Sequence, residues 1–249
     1  YEIPLCDWSS DVCSSDLDSP KYGDTFECTY RLKRLDGSYA WILGRGYVTH
    51  RDAKGRATRI VGLHTNITAS QADRDYFEKL AQNDALTGLP NRLLLKDRVE
   101  QAMAAAQRDG GTVGLLYLDL DGFKQVNDRW GHEAGDCVLL HIAQQLQQVA
   151  RGTDTVCRLG GDEFVLLLPE CTLVDVQQIA TRVLAACAAP CWWHGEDLQQ
   201  VYSISGGVSM FPEHGTNFSD LLRHADSALY QAKEAGRGQV VYYQAAVSP

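Results

Sequence analysis

The sequence predicts an α/β protein, and three observations carry that prediction. From Asp84 to Tyr243, short apolar stretches of strand length alternate with stretches of helical period over ~160 residues. Ahead of that block, residues 25–65 read as alternating strands separated by turn signals. At 249 residues, 45% hydrophobic and 22% charged, the chain has room for one large domain or two modest ones, and its composition excludes collagen-like and largely disordered classes.

The elements follow in order. Residues 7–17, from Asp7 to Leu17, resemble the translation of a common sequencing-library adapter and show neither helical nor strand period. Residues 1–17 are therefore read as an artefact outside the fold, and natural sequence upstream of about Asp18 is expected to be missing. Thr25 to Arg34 sets Phe26, Cys28, Tyr30 and Leu32 on one face of a strand. Asp36-Gly37 is a hairpin signal. Tyr39 to His50 is a second strand, Asp52 to Gly55 a turn and Arg59 to Thr65 a third strand. Residues 69–83 form a polar linker with Tyr76, Phe77 and Leu80 at helix-compatible spacing. The pattern lasts under three heptads, which is short for a coiled coil.

Beyond the linker, Thr87 to Asn91 starts a helix that runs to about Arg108. Thr112 to Leu120 is nearly continuously apolar, as expected of a strand buried on both faces. Helices are predicted over Phe123–Trp130, Gly135–Val149, Val174–Ala188 and Phe218–Ala235. Thr155–Leu159 and Glu163–Leu168 flank Gly160-Gly161-Asp162 as a β-hairpin. Val201–Met210 and Gln239–Tyr243 complete the strands.

Charge and cysteines narrow the function. The chain holds 23 Lys and Arg against 32 Asp and Glu, a net charge of −9, which disfavours a nucleic-acid partner. Four of those acids and none of the bases lie in residues 1–17, so the remainder carries −5. The longest mostly apolar stretch, Val183 to Trp193, is broken by Pro190 and falls short of the ~20 residues that span a bilayer. A cytoplasmic location is expected, with any membrane anchor lying upstream. The eight cysteines contain no CxxC pair, and most sit in apolar periodic segments, so reduced structural thiols are expected over zinc ligands or disulfides.

Spacing alone suggests the chemistry. The strand ending Asp119-Leu120-Asp121 delivers carboxylates at the start of a helix. Exposed N–H groups and the helix dipole favour phosphate there. Gly122 permits close approach, and Lys124 adds positive charge. Carboxylates beside a phosphate cradle suit Mg²⁺ on a nucleoside triphosphate, although such acids also simply end strands and cap helices. Asp162 and Glu163 sit at the hairpin tip. Apolar flanks bring that hairpin into the sheet of Asp119, where gathered acids repel one another unless cations bind.

Taken together, residues 84–245 resemble a GGDEF domain, the catalytic domain of diguanylate cyclases. The carrying motifs are Asp84 to Arg92, Asp119 to Lys124, Asn127-Asp128, Gly131-His132, Gly135-Asp136, Arg158 to Phe164, Ala225 to Lys233 and Gly236-Arg237. The resemblance implies a palm-like nucleotide-cyclase fold of the α+β sandwich type, with a central, mainly antiparallel sheet flanked by helices. It implies condensation of two GTP into cyclic di-GMP with loss of pyrophosphate. Metal ligands, for Mg²⁺ or Mn²⁺, fall on Asp119, the Leu120 carbonyl, Asp162 and Glu163, and Asp162 and Glu163 are the catalytic acids. Gly122, Phe123, Lys124, Lys233 and Arg237 match the triphosphate cradle, and Asn127 and Asp136 the guanine readers. Arg151 and Asp154 match an inhibitory site for the product. Gly238 departs from the family, which often has Asn there. His132 and the Trp192-Trp193-His194 stretch are read as structural.

Residues 18–68 resemble the C-terminal half of a PAS sensor domain, through Tyr30 to Trp41 and Gly62 to Thr68. Asn66 departs from the usual Asp-Ile-Thr ending and leaves the usual carboxylate hydrogen bond open. The first expectation is a sensor-gated cyclase that works as a homodimer, since each domain supplies one GTP site. The alternative is a catalytically silent GTP- or cyclic-di-GMP-binding module that controls an attached output such as an EAL phosphodiesterase. A sensor-only interaction protein comes third.

Overall fold

The computed structural model describes residues 25–55, 57–70 and 81–244. The stretch set aside at residues 1–17 and most of the predicted 69–83 linker lie outside them. The chain divides into two compact units, residues 1–79 and 80–249.

In the first unit, β1 (Thr25–Lys33), β2 (Tyr39–Arg51) and β3 (Ala57–Asn66) form an antiparallel sheet with β2 in the centre. Lys33 pairs with Tyr39 across the predicted Asp36-Gly37 turn, where Gly37 adopts φ 85° and Ser38 N–H donates to Asp36 Oδ1 at 2.8 Å. Alternation along β2 buries Ala40, Ile42 and Val48. Asn66 replaces the expected carboxylate without losing an acceptor. Its Oδ1 takes the Thr68 N–H at 3.0 Å, and Thr68 Oγ1 takes the Trp41 N–H at 2.9 Å.

The second unit is built on five strands in the order β10-β9-β4-β6-β5. These are β4 (Val113–Asp121), β5 (Thr155–Gly160), β6 (Glu163–Pro169), β9 (Ser203–Phe211) and β10 (Val240–Tyr242). Only the β9–β10 pair is parallel. The helices are α1 (Arg92–Asp109), α2 (Phe123–Trp130), α3 (His132–Val149), α4 (Leu173–Cys187) and α5 (Phe218–Glu234). A two-stranded ribbon, β7 (Trp192–Trp193) with β8 (Glu196–Asp197), lies between α4 and β9.

The sheet is covered on both faces. Leu116, Leu118 and Leu120 of β4 pack with α3 and α4 through Val138, Ile142, Ile179 and Val183. Leu115 and Tyr117 face α1 and α5 through Leu95, Val99, Leu221 and Leu222. This double burial explains the unbroken apolar run of β4 in a strand that is antiparallel to both neighbours. α5 lies so close to β9 that a Cβ on Gly207 would meet the Ala225 carbonyl and the Leu229 amide.

The predicted strands and helices hold within about two residues, with one correction. α3 begins at His132, not at Gly135, so His132 opens a helix instead of sitting in a loop. The cause is Gly131, at φ 85°, which ends α2 and starts α3 in one residue. Among the described residues Cys137, Cys157, Cys171, Cys187 and Cys191 are free thiols, and the last four are buried. Burial pushes the Cys157 and Cys187 thiols up to about 12, as expected of inert packing residues.

Candidate active site at the end of the central strand

The site starts where β4 stops. Asp119 pairs with Glu163 of β6 on one side and Ser205 of β9 on the other. Leu120 N–H donates to the Asp162 carbonyl at 3.3 Å, tying the strand end to the hairpin tip. Gly122 then reverses the chain at φ 79°, and a Cβ there would lie 2.7 Å from the Val201 carbonyl. Both the conformation and the close contact require glycine. α2 follows with no side chain capping its first N–H groups, which leaves them available to an anion.

A cavity of about 520 Å³ opens here, walled by Asp119, Leu120, Asp162, Lys124, Lys233 and Arg237 among others. Its charges are arranged in opposition. Lys233, in the last turn of α5, lies 2.7 Å from Asp119 Oδ1. Arg237 Nε lies 3.6 Å from Asp121 Oδ1. Burial raises the Asp162 carboxyl, and the nearby Asp119 charge raises it further. Two close acids with a backbone carbonyl beside them make a hard-oxygen donor set that fits a divalent cation. Among the described residues no three His, Cys, Asp or Glu side chains converge into a ready-made cage. The donors on offer are therefore Asp119, Asp162 and the Leu120 carbonyl.

The two acids of the hairpin tip sit differently: Asp162 lies in the turn and Glu163 begins β6. Asp162 lines the cavity, whereas Glu163 stands opposite Asp119, with its carboxylate near the buried Tyr117 hydroxyl. Burial and that carboxylate push the Tyr117 phenol well up, so it stays a donor. Tyr117 was not a candidate from sequence, because an aromatic residue in a buried strand reads as core.

The guanine-reader candidates sit on the neighbouring helices. Asn127 of α2 lies against Gly135 of α3, where a Cβ would collide with the amide. Its Oδ1 is buried and lacks a hydrogen-bond partner among the described residues. An orphaned acceptor suits an incoming N–H donor. Asp136, the next residue, is exposed.

Arg151 and Asp154 form a turn after α3, with Arg151 N–H donating to Asp154 Oδ2 at 2.7 Å. The Arg151 guanidinium lies 3.9 Å from Asp175 of α4. Arg182, absent from the sequence candidates, donates to the Val149 carbonyl at 2.7 Å and so flanks this turn.

Two further features emerge only in three dimensions. Arg158 donates to Asp84 Oδ1 at 2.8 Å and, through two of its nitrogens, to the Gly161 carbonyl at 3.1 and 2.7 Å. It thereby links the start of this unit to the hairpin tip. The Gly238 departure also acquires a reason. Residue 238 has φ 61°, in the left-handed region that Gly and Asn adopt most readily.

An open acid pair, an uncapped helix start and nearby cations at the end of the central strand of a mainly antiparallel sheet are the features of a nucleotide-cyclase fold. Residues 81–239 match the family described as diguanylate cyclase, GGDEF domain, and the chain belongs to that family. Residues 14–64 match the PAS fold, beginning inside the stretch set aside at the N-terminus.

The chain is 45% identical over 183 residues to the diguanylate cyclase DgcP of Pseudomonas aeruginosa, covering 73% of this chain and 27% of that protein. It is 38% identical over 218 residues to the cyclic di-GMP phosphodiesterase PdeR of Escherichia coli, covering 87% and 32%. It also resembles the solved GGDEF domain of TpbB, or YfiN, from Pseudomonas aeruginosa, with TM-score 0.63 and 38% identity over 65% of this chain and 94% of that one. The chain thus spans about a third or less of the two curated relatives' lengths. Among the described residues no helix is long and apolar enough to cross a membrane.

Proposed function

We propose that this chain is a diguanylate cyclase, condensing two GTP into one cyclic di-GMP and two pyrophosphates. The observation that carries this reading is the cavity at the β4 terminus, where Asp119 and Asp162 face Lys124, Lys233 and Arg237. The N–H groups of Gly122 and Phe123, with those three cations, bind the triphosphate. Asn127 and Asp136 accept from the guanine edge. Asp119, Asp162 and the Leu120 carbonyl hold Mg²⁺ or Mn²⁺, with Glu163 beside them in register. When bound, the cation supplies charge stabilisation for the reacting phosphate and the departing pyrophosphate.

Glu163, paired with Asp119 across the strands, accepts the proton of the attacking 3′-hydroxyl, with the Tyr117 phenol near its carboxylate. Each domain presents one GTP, so two phosphodiester bonds demand two copies face to face. Arg151 and Asp154 bind the product and slow turnover, and the PAS portion gates the dimer. GTP as substrate argues for the cytoplasm.

A second reading has one observation in its favour. PdeR, named a phosphodiesterase, aligns over 87% of this chain, so the domain could serve as a regulatory nucleotide-binding module beside another output. One experiment separates the two. The full chain, Asp162→Ala and Arg151→Ala are incubated with GTP and Mg²⁺, and nucleotides are separated by chromatography. We expect cyclic di-GMP from the native chain. We expect at least a hundredfold loss in Asp162→Ala with GTP binding retained, on the order of a lost metal contact, and no late slowing in Arg151→Ala. GTP bound but never converted by the native chain would sink the cyclase reading.

A further inference from the structure

The proposed reaction assigns no task to Asp121, the second carboxylate at the β4 terminus. Its side chain is only 5% exposed. A carboxylate buried to that degree is costly unless its oxygens are engaged. Oδ2 accepts from Ser203 Oγ at 2.8 Å and Ser205 Oγ at 2.6 Å, both on β9, and from the Gly238 N–H at 3.4 Å. The same Gly238 N–H lies 3.1 Å from Ser205 Oγ. Oδ1 has no hydrogen bond among the described residues and faces Arg237 Nε at 3.6 Å. The carboxylate is thus clamped by one edge and presents the other to a guanidinium.

Arg237 needs such a guide. It adopts φ 65°, a conformation that a residue with a side chain rarely takes, and Gly238 follows at 61°. Its side chain is 62% exposed and borders two cavities, of about 520 and 530 Å³. Only the first contains Asp119, Asp162, Lys124 and Lys233. An unguided guanidinium is free to turn toward either. Asp121, lining both, stands where it can decide between them.

We infer that Asp121 is a positioning residue: it anchors the 236–238 loop through Gly238 and aims the Arg237 guanidinium at the triphosphate, without ligating the cation. Oδ2 is taken up by the serine hydroxyls, and a cation on Oδ1 would have to displace the guanidinium that faces it. The inference rests on the reading of Arg237 as a triphosphate contact. Its physical content is preorganisation, since a guanidinium held in place loses less freedom when the phosphates arrive.

The test is a double-mutant cycle on the full chain. Affinity for the non-hydrolysable analogue guanosine 5′-(α,β-methylene)triphosphate is measured by calorimetry for the native chain, D121N, R237A and the double variant. We expect D121N and R237A each to weaken binding about tenfold, and the double variant to bind no worse than R237A. Ser203→Ala, which keeps the carboxylate but loosens its clamp, should weaken binding about threefold, and only when Arg237 is present. That variant carries the cycle if thermal melting shows D121N unfolded. Unchanged binding in D121N, or a double-variant loss equal to the product of the single losses, overturns the inference while leaving the triphosphate reading intact. Unchanged binding in R237A overturns both.

Discussion

At the scale of single residues, the site depends on close contacts that allow no spare atoms. Gly135 lies under Asn127, and an added Cβ would strike the Asn127 amide and the Phe123 ring. Inside α3, alanine is favoured over glycine by about 1 kcal/mol, so Gly135→Ala should not lower thermal stability. It should instead turn the Asn127 amide away from the guanine. The expected result is a rise in KM for GTP of about tenfold, the worth of one well-made hydrogen bond, with Tm held or raised. A KM unchanged from the native chain would remove Asn127 from the guanine site. The contact explains why sequence pattern alone left Gly135 unexplained: a helical glycine is ordinarily a weakness, and its reason lies on another helix.

At the scale of elements, the hairpin tip is held by partners distant in sequence. Arg158 and Asp84 are 74 positions apart, and their side chains are 10% and 20% exposed. Burial alone would raise the Asp84 carboxyl. The Thr87 hydroxyl and N–H, with the Arg158 guanidinium, outweigh it and hold the carboxyl below its ordinary value. The folded pKa is therefore lower than the unfolded one. The stabilisation is present above the ordinary carboxylate range and is lost as pH falls through the depressed value. Asp84→Asn should cost about 2 kcal/mol at neutral pH, and the gap to the native chain should close as the medium is acidified. Urea unfolding across that range measures it, and a gap that stays constant with pH would refute the ion pair's role.

The same scale shows what the sequence could reveal. β4, the Gly160-Gly161 hairpin and α2 were legible because their signals are local: an apolar run, a glycine turn, and glycines at both ends of a short helix. The acids and cations of the site were legible for the same reason, since they fall in short motifs. Their clamps were not. Ser205 lies 84 positions from Asp121, and the two meet only because β9 pairs with β4. Tyr117 and Arg182 were likewise invisible, the first disguised as core and the second as an ordinary helix-surface charge.

At the scale of the whole molecule, the proposed chemistry needs more than one chain: on that reading the cavity of Asp119 and Asp162 takes one GTP, and cyclic di-GMP needs two. Turnover should therefore depend on the meeting of two copies, and specific activity should climb with protein concentration until the dimer saturates. The most direct measurement follows cyclic di-GMP and pyrophosphate together from GTP and Mg²⁺ over a dilution series of the full chain. The account predicts about two pyrophosphates per cyclic di-GMP and a specific activity that falls on dilution, as mass action on a dimer requires. Pyrophosphate released without cyclic di-GMP, or a specific activity indifferent to dilution far below any plausible dimer affinity, would contradict it.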